Sequence, residues 1–310
     1  MHTTDFDPTA TPRGKRSLEG PQGPRPTKWL TRGNIMLYGT LFVLAVYYLI
    51  PLWVMVVTSL KGMPEIRMGN IFAPPVEVTF EPWAKAWAGA CTGLTCKGLS
   101  AGFLNSVFIL VPSVLISVAV ASLSGYVFAQ WKFRGSETFF SLLLVGAFIP
   151  HQVALYPMVM LISGLGLYGS LWGLVIVHTL FGMPINTLLF RNYFASLPDE
   201  IFKAARVDGA GFWRIFFRIM LPLSIPIAVV SMILQVTGIW NDFLFGVVFT
   251  TPANYPMTVQ LNNIVNSVQG VKEYNVNMAA TLLTGLVPLA IYFISGRYFV
   301  RGIAAGAVKG

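Results

Sequence analysis

Residues 196–222 read SLPDEIFKAARVDGAGFWRIFFRIMLP, a charged, helix-prone interruption between apolar stretches. Ser196 can cap a helix, Pro198 suits its first turn, and Asp199 with Glu200 favour the positive end of the helix dipole. Ile201, Phe202, Ala204 and Ala205 then give an apolar surface at helical spacing, with Lys203 and Arg206 beside it. Asp208-Gly209 supplies the stop, because glycine takes the left-handed conformation that ends helices at no steric cost. A second, strongly aromatic helix is expected from Phe212 to Met220, with Arg214 and Arg218 one turn apart. Two readings of this helix-turn-helix stand side by side. Small alanines let a partner approach the backbone, so the first helix can act as a knob in a partner's groove. Equally, an amphipathic loop helix can rest on a lipid surface with its arginines toward phosphates.

The flanks decide the fold class. The chain of 310 residues is 55% hydrophobic and 11% charged, with a mean hydropathy of +0.67. No formal charge occurs within 36–60, 101–131, 138–190 or 274–296, and Asp242 is the sole one within 219–271. Each run reaches the roughly 20 residues that a spanning helix needs. Run 138–190 is too long for one helix, and Gly164, Gly166 and Gly169 divide it. The expectation is an all-α polytopic membrane protein with six transmembrane helices near 35–60, 103–130, 138–163, 171–191, 222–250 and 276–297. The helix-turn-helix lies between spans four and five.

Six spans put both termini on one side. Sixteen of the 21 Lys and Arg fall on that side, and basic loops stay cytoplasmic. Both termini and residues 196–222 are therefore expected in the cytoplasm of a bacterial inner-membrane protein. The net charge of +9 reports this topology. The basic residues are scattered along membrane edges, so a nucleic-acid partner is not expected. Residues 1–34, rich in Pro, Gly, Thr and Arg, read as a disordered cytoplasmic tail, with 35–310 as the membrane domain. The first apolar run begins too late for a signal peptide and reads as an uncleaved anchor.

Polar residues inside and beyond the spans are the remaining candidates. Cys91 and Cys96, the sole cysteines, lie in CTGLTC on the expected outer face, where a disulfide is permitted and two free thiols are the alternative. A metal site needs more ligands than that loop offers. Pro150 should kink span three and bring His151 and Gln152 to a polar path, or else merely shape packing. His178 and Asn186 on span four are weaker candidates. In span five, Asn241 and Asp242 either anchor the helix at the headgroups or offer acceptors to a hydroxylated solute. The polar segment 250–276 suits contact with a partner or substrate.

The spacing in 196–222 resembles the cytoplasmic loop signature of ABC-importer permeases: Glu-Ala-Ala, three residues, Gly, nine residues, Ile, one residue, Leu-Pro. Here Ala204-Ala205, Gly209, Ile219 and Leu221-Pro222 fill it, with Lys203 where the family usually has glutamate. The ending RYFVRGIAAGAVKG (297–310) is similar to the terminus of carbohydrate importer permeases of the maltose type, second-permease branch. WNDFLF (240–245) and GVKEYNVNMAA (270–280) resemble the branch serving glucose and mannose.

That resemblance implies a sugar importer permease working with a second homologous permease, two copies of a cytoplasmic ABC ATPase and a periplasmic or extracellular sugar-binding protein. Asp199, Glu200, Phe202, Lys203, Ala204, Ala205, Asp208 and Gly209 would dock in the ATPase. Gly306, Ala307, Val308, Lys309 and Gly310 would approach the ATPase dimer, and 250–273 would touch the binding protein. It also gives the second permease a share of the solute contacts. ATP and Mg would be bound by the partner ATPase, since the chain has no GxxxxGK[ST] loop and no catalytic residues of its own. The alternative is a self-contained proton-coupled sugar carrier using Asp242 or His151. An intramembrane enzyme has neither a HExxH cluster nor a nucleophile with its base.

Overall fold

A computed structural model describes residues 31–92, 95–131, 133–267 and 271–307, with the backbone alone at 32, 92 and 297–307. The tail expected over 1–34 falls almost wholly outside the described residues. The chain divides into two units, Met1–Ile50 and Pro51–Gly310. The described part of the first is the leading stretch of helix α1 (Arg32–Ser59), whose large apolar side chains from Ile35 to Ile50 are exposed. A helix apolar on every face needs lipid or protein around it.

The second unit holds all that follows. Outside the spans come α2 (Met63–Met68), α3 (Glu81–Ala84) with a π-helical turn at Lys85–Gly89, and the hairpin of β1 (Cys91–Thr92) and β2 (Thr95–Cys96). Then come α4 (Ser100–Gln130), α5 (Ser136–Phe148), α6 (His151–Gly164) and α7 (Leu171–Ser196). The helix-turn-helix follows as α8 (Asp199–Val207) and α9 (Phe212–Ile215), extended by a π-helical turn at Phe216–Met220 and by α10 (Leu221–Leu223). Last are α11 (Ile225–Trp240), α12 (Leu244–Phe249), α13 (Met257–Val265) and α14 (Tyr274–Ala307). The fold is all-α apart from one short hairpin, in which Cys91 and Cys96 face each other and their sulfurs are bonded.

Among the described residues four helices are long and apolar enough to cross a membrane, or six if each of two bent pairs counts as one span. In the pair α5–α6 the bend is 105°, and in Phe212–Leu223 with α11 it is 72°. The kink expected at Pro150 is thus a complete break. Pro150 lacks an N–H, and it holds Ile149 in an extended conformation that ends α5. Proline alone does not do this, since Pro112 and Pro184 sit inside the unbroken α4 and α7. Pro157 likewise sits inside α6, which buries only Ile162, while α5 buries only Ser136 and Phe140.

Helices α4 and α7 lie against each other along their length and form the centre of the unit. A Cβ on Gly125 would stand 2.6 Å from Phe190 Cβ and 2.8 Å from Arg191 N, so this approach needs glycine. The span expected over 222–250 stops at Trp240, whose indole N–H donates to Thr284 O of α14 at 3.0 Å. Beyond it, the segment expected to be free for partners is partly core. Met257, Val259, Gln260 and Ile264 of α13 are buried, and Gly102 N and Met257 N are bonded to Gln260 Oε1 and Ser106 Oγ across α13 and α4.

Candidate functional site

The helix-turn-helix is held from below by aromatic rings. Tyr126, fully buried near the end of α4, has Phe194, Phe202, Phe212 and Phe216 within 6.4 Å of its ring centroid, and its hydroxyl donates to Phe212 O. Trp131 packs edge-on against Phe202 at 5.9 Å, and the Arg206 guanidinium lies 4.5 Å over the Trp131 ring. Phe202 and Ala205 are 8% and 6% exposed, so within the expected docking set these two face their own chain. Asp199, Glu200, Lys203, Ala204, Asp208 and Gly209 are exposed on the outer side.

The helix ends as its glycine requires. Gly209 takes φ +75°, its N–H donates to Arg206 O, and Ala210 N–H reaches Ala205 O at 2.9 Å, a Schellman termination. Its start differs from expectation. Ser196 closes α7 and donates its hydroxyl back to Tyr193 O, so α8 begins after Pro198 with no side-chain cap. Gly306 and Ala307 form the end of α14, while Val308, Lys309 and Gly310 lie outside the described residues.

A second region lies within the spans. Asn186 donates to Gln235 Oε1 at 3.1 Å and accepts from Ser231 Oγ at 2.7 Å, and Gln235 Nε2 donates to Ser117 Oγ at 3.1 Å and to His178 O at 3.3 Å. Interhelical polar bonds of this kind bind α4, α7 and α11 together. His178, Gly182 and Asn186 fall four residues apart, one stripe of α7, and a Cβ on Gly182 would lie 2.0 Å from Gln235 Nε2. Polar residues spaced by four around a glycine in an apolar helix were the signal for this seam. Taken one at a time, His178 and Asn186 looked weak.

His151 borders a cavity of about 580 Å³ with Phe181, Asn186 and Gln235. The other expected pathway residues are not brought to it. Gln152 is exposed elsewhere on α6, and Asn241 is exposed past the end of α11. Asp242 turns into the protein, where its carboxylate accepts from Phe245 N and Gly246 N and lies 3.6 Å from His178 Nε2. It therefore caps α12, which explains why span five stops short of 250. Among the described residues no group of three or more His, Cys, Asp or Glu could hold a metal ion.

Residues 117–305 match the family described as binding-protein-dependent transport system inner membrane component. A probable ABC transporter permease protein of Pyrococcus horikoshii is 38% identical over 278 residues, covering 89% of this chain and 98% of that protein. The glucose import system permease protein of Saccharolobus solfataricus is 29% identical over 282 residues, covering 88% and 95%. Among solved structures, a bacterial ABC transporter that imports the acidic polysaccharide alginate shares the fold, with a TM-score of 0.71 and 20% identity over 88% of this chain and 100% of that one.

Proposed function

We propose a part in ATP-driven sugar import from one premise: this chain belongs to the family of binding-protein-dependent transport system inner membrane components. It is a multi-pass membrane subunit of a transporter, not an enzyme in its own right. In the proposed importer it lines the translocation path with a second, homologous permease. Two copies of a cytoplasmic ATPase bind ATP and Mg, and an external binding protein delivers the sugar. Glucose, with its epimer mannose, is the proposed cargo. The glucose-importing relative and the WNDFLF and GVKEYNVNMAA stretches support that choice.

The observation that carries the reading is the two-sidedness of α8. Its inner face packs on Tyr126 and Trp131 through Phe202 and Arg206, with Ala205 buried beside them, while Asp199, Glu200, Lys203, Ala204 and Asp208 are exposed and covered by none of the described residues. A short helix fixed on one side and open on the other suits force transfer from a docked partner. With 16 of the 21 basic residues on its side of the membrane, α8 and both termini are proposed to face the cytoplasm. The tail from 306 to 310 is proposed to reach the ATPase dimer.

Ala204→Trp tests this, because the new ring fills only the outward face. In proteoliposomes holding the complete importer, glucose uptake should fall about tenfold or more, equivalent to at least ~1.4 kcal/mol of lost docking. The chain's own melting temperature should stay at the wild-type value. Uptake at the wild-type rate removes the docking role. A proton-coupled carrier is favoured by one contact, His178 beside Asp242. Glucose uptake by this chain alone, driven by a proton gradient without ATP, would establish that reading instead.

A further inference from the structure

We propose that the cavity at the break between α5 and α6 is a subsite for the ring of a neutral sugar, a step that rests on the sugar-import reading above. Its volume of about 580 Å³ lies within the ~300–1,000 Å³ of small-molecule sites. Gly146 and Ala147 from the end of α5, His151 from the start of α6, Phe181 and Asn186 from α7, and Gln235 from α11 converge on it. Four helices thus meet at one opening.

Three features point to a solute rather than to a packing fault. First, the break leaves carbonyls in the last turn of α5 without their i+4 partners inside a spanning segment, although Gly146 O accepts from Ile149 N–H. Such backbone persists at membrane depth only where protein or a wet cavity covers it, and transporters place solute sites at breaks of this kind. Second, the polar groups are held in place but not used up. Asn186 keeps one amide hydrogen after bonding Gln235, and Gln235 Oε1 keeps a lone pair. His151 is fixed by ring contacts, with its centroid 4.9 Å from that of Phe181 and 5.3 Å from that of Phe245, which leaves its two ring nitrogens for a ligand. Third, Phe181 stacks on Phe245 at 4.9 Å, so it is a braced aromatic wall.

Amide and imidazole hydrogen-bonding groups beside an aromatic wall match a pyranose, which presents hydroxyls at its rim and C–H groups on its faces. Charge sets the class more narrowly. No Asp, Glu, Lys or Arg lines the cavity among the described residues. A uronate carboxylate would meet no permanent cation there, and burying an unpaired charge is costly. The subsite should therefore pass neutral sugars and refuse acidic ones.

Thiol protection tests this in the complete importer. Cys91 and Cys96 are bonded to each other, so His151→Cys puts a single reactive thiol into this chain. A small, uncharged, water-soluble maleimide should label it, and D-glucose at about ten times its Kd should slow labelling about tenfold. D-glucuronate at the same concentration should leave the rate unchanged. Equal protection by the two sugars overturns the charge selection. No protection by glucose, or a thiol that the reagent never reaches, overturns the subsite. Phe181→Leu gives a second measurement: with saturating binding protein, uptake should fall about tenfold, a barrier rise of ~1.4 kcal/mol, while sugar-stimulated ATP hydrolysis continues. Unchanged uptake overturns the role of the wall, and joint loss of uptake and hydrolysis makes Phe181 structural and overturns it as well. Wild-type importer that takes up no glucose with ATP would instead reject the cargo reading, and protection is then measured with the neutral sugar that the importer does take up.

Discussion

Toward its carboxyl end α7 lends Phe194 to a close-packed aromatic joint around Tyr126, whereas its middle turns Gly182 and Asn186 to a hydrogen-bonded seam beside a cavity of about 580 Å³. In the joint, Tyr126, Phe190, Phe194 and Ile215 have no exposed surface. At the seam, the bonded amides of Asn186 and Gln235 border open volume. The same helix therefore serves two demands. A close-packed interior does not yield gradually, so in the proposed docking a push on α8 would pass to α4 and α7 as a movement of whole elements. A solute needs room and fixed hydrogen-bonding groups, and close packing would remove the room.

The largest effect that can break this comparison comes from removing the ring at the centre of the joint. Tyr126→Ala should cost about 3–5 kcal/mol, the range for deleting a buried aromatic side chain. Tyr126→Phe keeps every ring contact and loses the hydroxyl with its bond to Phe212 O, about 1 kcal/mol. Thermal unfolding of the purified chain in detergent separates the two. If both variants melt alike, the hydrogen bond and not the packing holds the joint, and the contrast with the polar seam fails.

An intermediate effect belongs to the seam. Gly182→Ala puts a Cβ where Gln235 Nε2 now sits, so that nitrogen must leave Ser117 Oγ and His178 O. Two bonds at about 0.5–1.5 kcal/mol each set the cost at roughly 1–3 kcal/mol. Because Gln235 also faces the cavity, sugar uptake should fall with stability, whereas sugar-stimulated ATP hydrolysis should fall less. Equal loss of the two activities would show that the seam and the joint act as one body.

The joint and the seam differ as much in how far the sequence discloses them. Gly209 was readable because a left-handed stop depends on two or three neighbouring residues and on nothing distant. The apolar stripe of α8 was equally plain, but its destination was not. Phe202 could meet a partner, a lipid or its own chain, and the rings that cover it, Tyr126 and Trp131, come from the far end of another helix. Pro150 shows the same limit from another side. It separates two helices, while Pro112, Pro157 and Pro184 lie inside unbroken ones, and the residue type alone does not say which proline will break a span. Asp242 drew notice as a lone charge in a long apolar run. Its work as a cap becomes visible only once a helix is seen to restart at Leu244.

Arg206 offers the smallest effect and the sharpest distinction within the joint. Its guanidinium lies 4.5 Å over Trp131 and 4.9 Å over Phe202, so it covers two rings while its charge remains near water. Cation–π attraction at an exposed position is worth about 0.5–1 kcal/mol, so Arg206→Gln should lower stability by that much and no more. Arg206→Lys keeps the positive charge but not the planar stacking, which divides the two contributions. Should Lys restore stability fully, the charge holds the lid of the joint, and raising the salt concentration should weaken it. Should Lys behave as Gln does, the flat guanidinium completes the aromatic packing by shape, and the joint is close-packed to its outer edge.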